Sequence, residues 1–389
     1  MHMTRFLFCS ARLLTHAGLA LLAFSPLAAQ AQSYTLTLLG TLPGGTSSYG
    51  TGVNNSGQVA GYSQMPDFST QEFLSGANGG PLSALGTIPG TTNSIGSGVN
   101  DAGQVAGYSS TIYGFYAATL SGPNGGTLRN LGTPANGENP TGVAVNAIGQ
   151  VTGQYVVTGG GNHAFVSGLN GGPLKDLGTL PGRDSSYGYG VNASGQVTGQ
   201  SGNSAFLSGP NGGPLKELGA LPGGSYSLGR AVNAAGQVAG ESDVLGGQHH
   251  AVLFGPGGVG TTDLGILPGG TFAAGEGIND SGQVVGLSYT TKYPESQRAF
   301  LFENGAMRDL NSLIAPFPDF VLTNATGISN TGFITGIGSG TVGGLFVTEA
   351  FLLTPNAAPV PEGSTLTALG LLLFLGLAAA LFAGRRAFS

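Results

Sequence analysis

The chain has a single cysteine, Cys9, and it lies in an N-terminal segment expected to be removed. A mature protein without thiols has no disulfide, no zinc–thiolate site and no cysteine nucleophile. Charge is scarce as well. Asp, Glu, Lys and Arg make up 8% of the 389 residues, against roughly 25% in an ordinary globular chain. What charge there is leans acidic. Leaving out the terminal Arg5, Arg12, Arg385, Arg386 and Glu362, eight basic residues face seventeen acidic ones, and the body carries about −9. Such a surface gives no electrostatic case for a phosphate backbone, so nucleic acid is not an expected partner. Nucleophile elbows, phosphate-cradling loops and paired-histidine zinc motifs are missing too. The sequence presents no catalytic constellation, no cofactor site and no metal site. The one enzymatic route left open is a carboxylate pair assembled from distant parts of the chain.

Glycine and proline are abundant, at 73 and 21 residues, while 40% of the chain is apolar. Disordered chains combine low hydrophobicity with high charge, and this one has neither. Glycine-rich, charge-poor sequence suits short strands joined by tight turns.

A motif Gly-Val-Asn-x-x-Gly-Gln-Val-x-Gly recurs along the chain, first at residues 52–61 and last in a degenerate form around Asn330 and Gly332. Its turn glycines are 57, 103, 149, 195, 236, 282 and 332, spaced by 46, 46, 46, 41, 46 and 50 residues. Each of the seven periods holds four strand-like pieces: one ending at Val-Asn, a second after the Asn-x-x-Gly turn, a third of Ala-Phe-Leu type, and a fourth after Gly-Pro-Asn-Gly-Gly. Four strands per 40–50 residues predicts an all-β, seven-bladed β-propeller over residues 34–355. The chain starts on a fourth strand (residues 35–42) and finishes on a third (residues 350–353), which predicts that the two ends pair and close the ring. An open β-solenoid is the alternative.

Both ends carry segments outside this repeat. Residues 1–31 read as a secretory signal peptide: a basic start, an apolar stretch from Leu13 to Leu27, and Ala29-Gln30-Ala31 as a small-x-small cleavage site. An uncleaved anchor is the alternative. Residues 356–363 form an exposed linker, residues 364–384 an apolar stretch long enough for a membrane-spanning helix, and residues 385–389 a basic cytoplasmic tail.

Two resemblances follow. Val360-Pro361-Glu362, then one apolar span, then Arg385 and Arg386, resembles a PEP-CTERM sorting signal, with Gly363 where the motif's last proline stands. That implies export through the Sec translocon, handling by an exosortase, and the surface or extracellular matrix of a Gram-negative bacterium that makes exopolysaccharide. A plain C-terminal anchor is the alternative. The repeat text, with Ala-Phe-Leu, Asp-Leu-Gly-x-Leu-Pro-Gly-Gly and Ile-Asn-x-Ser-Gly-Gln-Val-Val-Gly, resembles the HAF-family extracellular repeat over nearly all of residues 34–355. It implies an extracellular location and brings no catalytic residues.

Candidate ligand sites are few. Asn279-Asp280-Ser281 has a calcium-loop flavour, but other copies of this turn hold no carboxylate, so it reads as a structural turn. Glu241, Asp243, His249 and His250 share one variable region, yet adjacent histidines on a strand point oppositely, which argues against joint coordination. His163 reads as a strand-edge residue. The connections from second to third strand and from fourth to first should emerge on one face, and these vary between copies. The first set holds Phe68, Tyr113, Phe115, Tyr155, Tyr289 and Tyr293, the second Tyr49, Tyr187, Tyr189, Tyr226 and Phe272. Tyr49, Tyr187 and Tyr226 share a repeat position and suit packing. Tyr113, Phe115, Tyr289 and Tyr293 are the expected saccharide-binding aromatics. The expectation is a non-catalytic binding or scaffold protein associated with exopolysaccharide. A surface coat without specific ligand and a secreted propeller enzyme acting on polysaccharide are the alternatives.

Overall fold

The computed structural model describes residues 33–290 and 297–356. The signal, linker, sorting and membrane-span expectations, including Val360, Pro361, Glu362, Arg385 and Arg386, fall outside those residues, as does Tyr293. Among the described residues no helix is long and apolar enough to cross a membrane. What they form is antiparallel sheet.

Four consecutive sheets, over residues 47–84, 93–130, 137–176 and 186–217, each have four strands in chain order. Residues 227–309 form eight strands whose two four-stranded halves are joined by one parallel pair, His249 with Phe272. The terminal sheet takes Phe320–Ile328, Ile334–Val342 and Leu345–Pro355 from the end of the chain and Tyr34–Leu38 from its beginning. The closing strand is shorter than the expected residues 35–42, because Gly40 takes a positive φ of 67° and turns the chain away. Its register is Tyr34 with Pro355 through Leu38 with Phe351.

The motif's asparagine shows why the repeat is built as it is. Asn54 Oδ1 accepts from the backbone N–H groups of Ser56 and Gln58, and its Nδ2 donates to Gln58 Oε1 and, across to the next sheet, to the carbonyl of Asn100. A buried amide with its donors and acceptor engaged is a net stabiliser rather than a liability. The inter-sheet bond repeats from Asn100 to Asn146, Asn146 to Asn192, Asn192 to Asn233, Asn233 to Asn279 and Asn279 to Ser329, at 2.8–3.2 Å. The positive φ of the turn belongs to glycine alone, for instance Gly57 at 71°. Asp280 is spent in the same belt, accepting from Ala234 N–H and Asn330 Nδ2.

A serine makes a second link between neighbours. Ser94, Ser186 and Ser227 each accept, at Oγ, the N–H of a third-strand residue in the preceding sheet: Glu72, Ala164 and Ala205. The same bond runs from Ala350 N–H to Ser48 Oγ and so joins the last sheet to the first. Thr326 Oγ1 donating to Gly50 O and Asn55 Oδ1 accepting from Asn330 N–H tighten that seam. Between sheets, the alanine of one Ala-Phe-Leu segment packs on the phenylalanine of the next, as in Ala118 with Phe165, Ala164 with Phe206, Ala251 with Phe300 and Ala350 with Phe73.

Candidate functional site

The two sets of connections do meet on one face. Backbone bonds tie them together: Thr46 N–H to Gln64 O, Thr92 N–H to Ser110 O, Thr158 N–H to Asn136 O and Gly202 N–H to Ser185 O. This face carries the exposed aromatics. Tyr113 is 91% exposed and Phe68 82%, with Phe115, Tyr289, Phe317 and Phe346 beside them. On the opposite face, the exposed large apolar residues among those described are aliphatic: Ile148, Leu169 and Val259. The aromatic positions lie on consecutive sheets, from the half at 270–309 through the terminal sheet to the first two. The third and fourth sheets turn there on short glycine-containing loops.

Local bonding fixes how the two foremost aromatics stand out. At residues 111–115, Thr111 N–H donates to Phe115 O, its hydroxyl accepts from Tyr113 N–H and Phe115 N–H, and Gly114 takes φ 84°. The matching hairpin at residues 65–69 closes from Met65 N–H to Ser69 O, and there the left-handed position is held by Phe68, at φ 66°. A bulky residue in that conformation costs about 1–3 kcal/mol relative to a relaxed one. Asp67 supports it by accepting from Ser69 N–H and Oγ, which holds its carboxyl below the usual range.

Of the aromatics expected on these loops, Tyr155 and Tyr226 are placed otherwise. Tyr155 is buried, because it lies inside the strand Val151–Val157 and packs with Phe165. Tyr49 stacks on Tyr62 at 4.7 Å, and Tyr187 accepts from Asn162 Nδ2. Tyr226 does not share their repeat position. Tyr49 and Tyr187 follow the serines that pair with Ser63 and Ser201, whereas Tyr226 precedes the one that pairs with Ser242. That puts Tyr226 level with Phe272, in a row of rings running Tyr226, His249, Phe272 and Tyr289 at 5.2–5.6 Å. Tyr289 thus has a packed base and an exposed edge. His249 and His250 point apart, His249 toward Glu241 at 3.7 Å and His250 to Asp263 at 2.9 Å, while Asp243 caps Ser225 and Tyr226 N–H groups. His163 likewise pairs with Asp176.

A second feature went unread in the sequence. Every inner strand carries a β-bulge at the x of Gly/Ala-x-Gly/Ala, just before Val-Asn or its equivalent. The extra residue is turned inward, so Thr51, Ser97, Val143, Tyr189, Arg230, Glu276 and Thr326 ring a central cavity of about 380 Å³. Two residues on, Val53, Val99, Val145, Val191, Val232, Ile278 and Ile328 form an aliphatic ring of the same lumen. The signal was present as a variable residue between constant small ones. Tyr189, expected on a loop, belongs to this ring. Arg230 is held by Glu241 at 3.2 Å and Glu276 at 3.4 Å. Burial works against its charge, and the two carboxylates outweigh burial and raise its pKa. Burial raises the pKa of Glu276, with Arg230 opposing and Glu241 adding.

No protein-family model and no curated protein matches the chain. Solved structures do. An oligogalacturonate lyase from Vibrio parahaemolyticus aligns over 84% of this chain and 94% of its own, at 10% identity and TM-score 0.53. The β-propeller domain of the Trilobed protease from Pyrococcus furiosus, described as having an open velcro topology, aligns over 82% of this chain and 100% of its own, at 10% identity and TM-score 0.51. TolB from Acinetobacter baumannii aligns over 78% of this chain at 13% identity and TM-score 0.44, and the chain spans 64% of its length. At 10% identity the likeness to the lyase and the Trilobed protease domain speaks for the fold alone. The chain is a β-propeller of four-stranded antiparallel sheets.

Proposed function

We propose that this protein is an exported, non-catalytic seven-bladed β-propeller that binds extracellular polysaccharide through its aromatic loop face. The eight-stranded sheet is then two blades in contact through His249 and Phe272, and the sorting signal delivers the propeller to the cell surface or matrix by way of the translocon and an exosortase. The observation that carries the binding role is the one-sided placement of exposed aromatics, with Phe68 kept in a costly backbone conformation where the neighbouring hairpin uses glycine. Aromatic faces stack on the apolar faces of sugar rings, and a Tyr hydroxyl tolerates water. Several modest sites on one rigid ring gain avidity on a repeating polymer. Asp176 and Asp263, tied to His163 and His250, serve strand pairing rather than chemistry.

The test replaces Tyr113, Phe115 and Tyr289 with Ala together, and Phe68 with Gly separately, and measures retention on the producing strain's exopolysaccharide alongside thermal melting. Expected are a drop in retention of tenfold or more for the triple variant, and weakened retention with equal or higher stability for Phe68→Gly. Unchanged retention at unchanged stability would favour a coat protein without specific ligand.

A further inference from the structure

We infer that the central cavity is a second binding site, separate from the loop face, and that its ligand is a neutral polyhydroxylated molecule the size of one or two sugar units. The inference rests on the saccharide reading of the loop face only for choosing sugars among polyols.

The repeat itself marks the site. The scaffold around the bulge hardly varies, since the flanking positions are glycine or alanine and the following residue is aliphatic. The inward residue alone changes chemistry from blade to blade, and a purely structural position in a repeat has no need of that. The wall is also lopsided. Tyr189, Arg230 and Glu276 stand on three consecutive inner strands, while Thr326, Thr51 and Ser97 supply hydroxyls from the far side. Thr51 Oγ1 donates to Gly96 O and Thr326 Oγ1 to Gly50 O, which leaves their oxygens turned to accept.

The polar wall is incompletely satisfied. Among the described residues Arg230 Nε, on the wall, has no acceptor; behind the wall Glu241 Oε2 and His249 Nδ1 face each other at 3.7 Å. Glu241 is 4% exposed. Around the lumen itself the Arg230 donor, the Glu276 carboxylate and the hydroxyls of Thr51, Ser97 and Thr326 stand together, which suits a partner that donates and accepts in the same place. An anion fails that requirement, because the one cation is already shared by two carboxylates. A cation fails it too, because Arg230 stands between the two acids. Hydroxyls meet it, with Tyr189 as a flat surface for an apolar ring face. The cavity lies at the small end of ligand-binding volumes, which range over roughly 300–1,000 Å³.

The experiment uses full-length protein and saturation-transfer NMR with glucose, galactose, mannose and N-acetylglucosamine at millimolar concentration. Transfer to at least one of these sugars is expected for the wild type and for the triple loop variant. Tyr189→Ala should weaken it at least tenfold. Ser97→Phe, which fills the lumen from the opposite wall without touching the ion pairs, should abolish it and covers the case in which Tyr189→Ala does not fold. Both variants should keep their retention on polymer. Absence of transfer from every sugar, transfer that survives Ser97→Phe, or binding of ethanolamine in place of the sugars would overturn the inference. If polymer retention still depends on the loops in that event, the loop-face reading stands without it.

Discussion

Glu72 breaks the repeat at a position where the other copies hold alanine. It replaces the first residue of the Ala-Phe-Leu segment, and Thr119 replaces the phenylalanine that this position should meet in the next blade. Both are fully buried, and both carboxyl oxygens and the Thr119 hydroxyl lack hydrogen-bond partners among the described residues. The pair exchanges one small and one large apolar group for two medium polar ones of similar combined bulk. Burial pushes the Glu72 carboxyl from 4.5 up to about 8. A raised folded-state value means that this residue is tolerated best below about pH 4.5 and destabilises progressively as pH climbs through about 8. A shift of that size corresponds to roughly 5 kcal/mol between protonation states, as an upper bound. The double variant Glu72→Ala/Thr119→Phe restores the contact made elsewhere. In urea melts it should gain a few kcal/mol over the wild type at pH 8.5 and much less at pH 5. Equal gains at both pH values would show that the carboxyl is not held protonated.

Strands and turns use glycine for two different reasons, and a pair of substitutions separates them. The last glycine of the motif sits opposite the bulge, where a Cβ on Gly199 would lie 1.8 Å from Tyr187 O. Gly219 is a loop residue at φ 75° with open space around it. Gly199→Ala should cost more than about 3 kcal/mol in denaturant melts, or prevent soluble expression, whereas Gly219→Ala should cost about 1 kcal/mol. The bulge that makes Gly199 indispensable is also what turns Tyr189 into the lumen. Much of this was legible in the sequence. The period, the four strands and the pairing of chain ends all follow from where the turn glycines fall. The lumen ring escaped because its residues sit between small residues inside the first strand piece, where the pattern alone does not mark an inward bulge. Tyr155 was misplaced, and Tyr226 misaligned, because a shift of one residue along a strand exchanges its faces. The Glu72 and Thr119 exchange becomes visible only once the blades are known to meet in that register.

In the whole molecule the asparagine belt is continuous except where chain end meets chain beginning. Ser329 stands where the other copies have asparagine, and its hydroxyl engages Thr331 and Phe333 N–H instead of reaching the first blade. Asn55 covers the gap by accepting from Asn330 N–H. Ser329→Asn should extend the belt to the Asn54 carbonyl and raise stability by about 1 kcal/mol, with the largest gain in protection from amide exchange at Tyr34–Leu38. A gain spread evenly over all blades would show that the seam is not the weak point.

The pairing of Tyr34 with Pro355 has a consequence for orientation. Pro355 lies against Gly332, in the Asn-turn side of the terminal sheet, so the polypeptide enters and leaves the ring together on the side away from the aromatic loops. A tether attached at either end therefore grips the plain side. If the proposed surface attachment holds, the propeller stands with its aromatic crown facing outward, as a cup held by its base, whichever end carries the attachment.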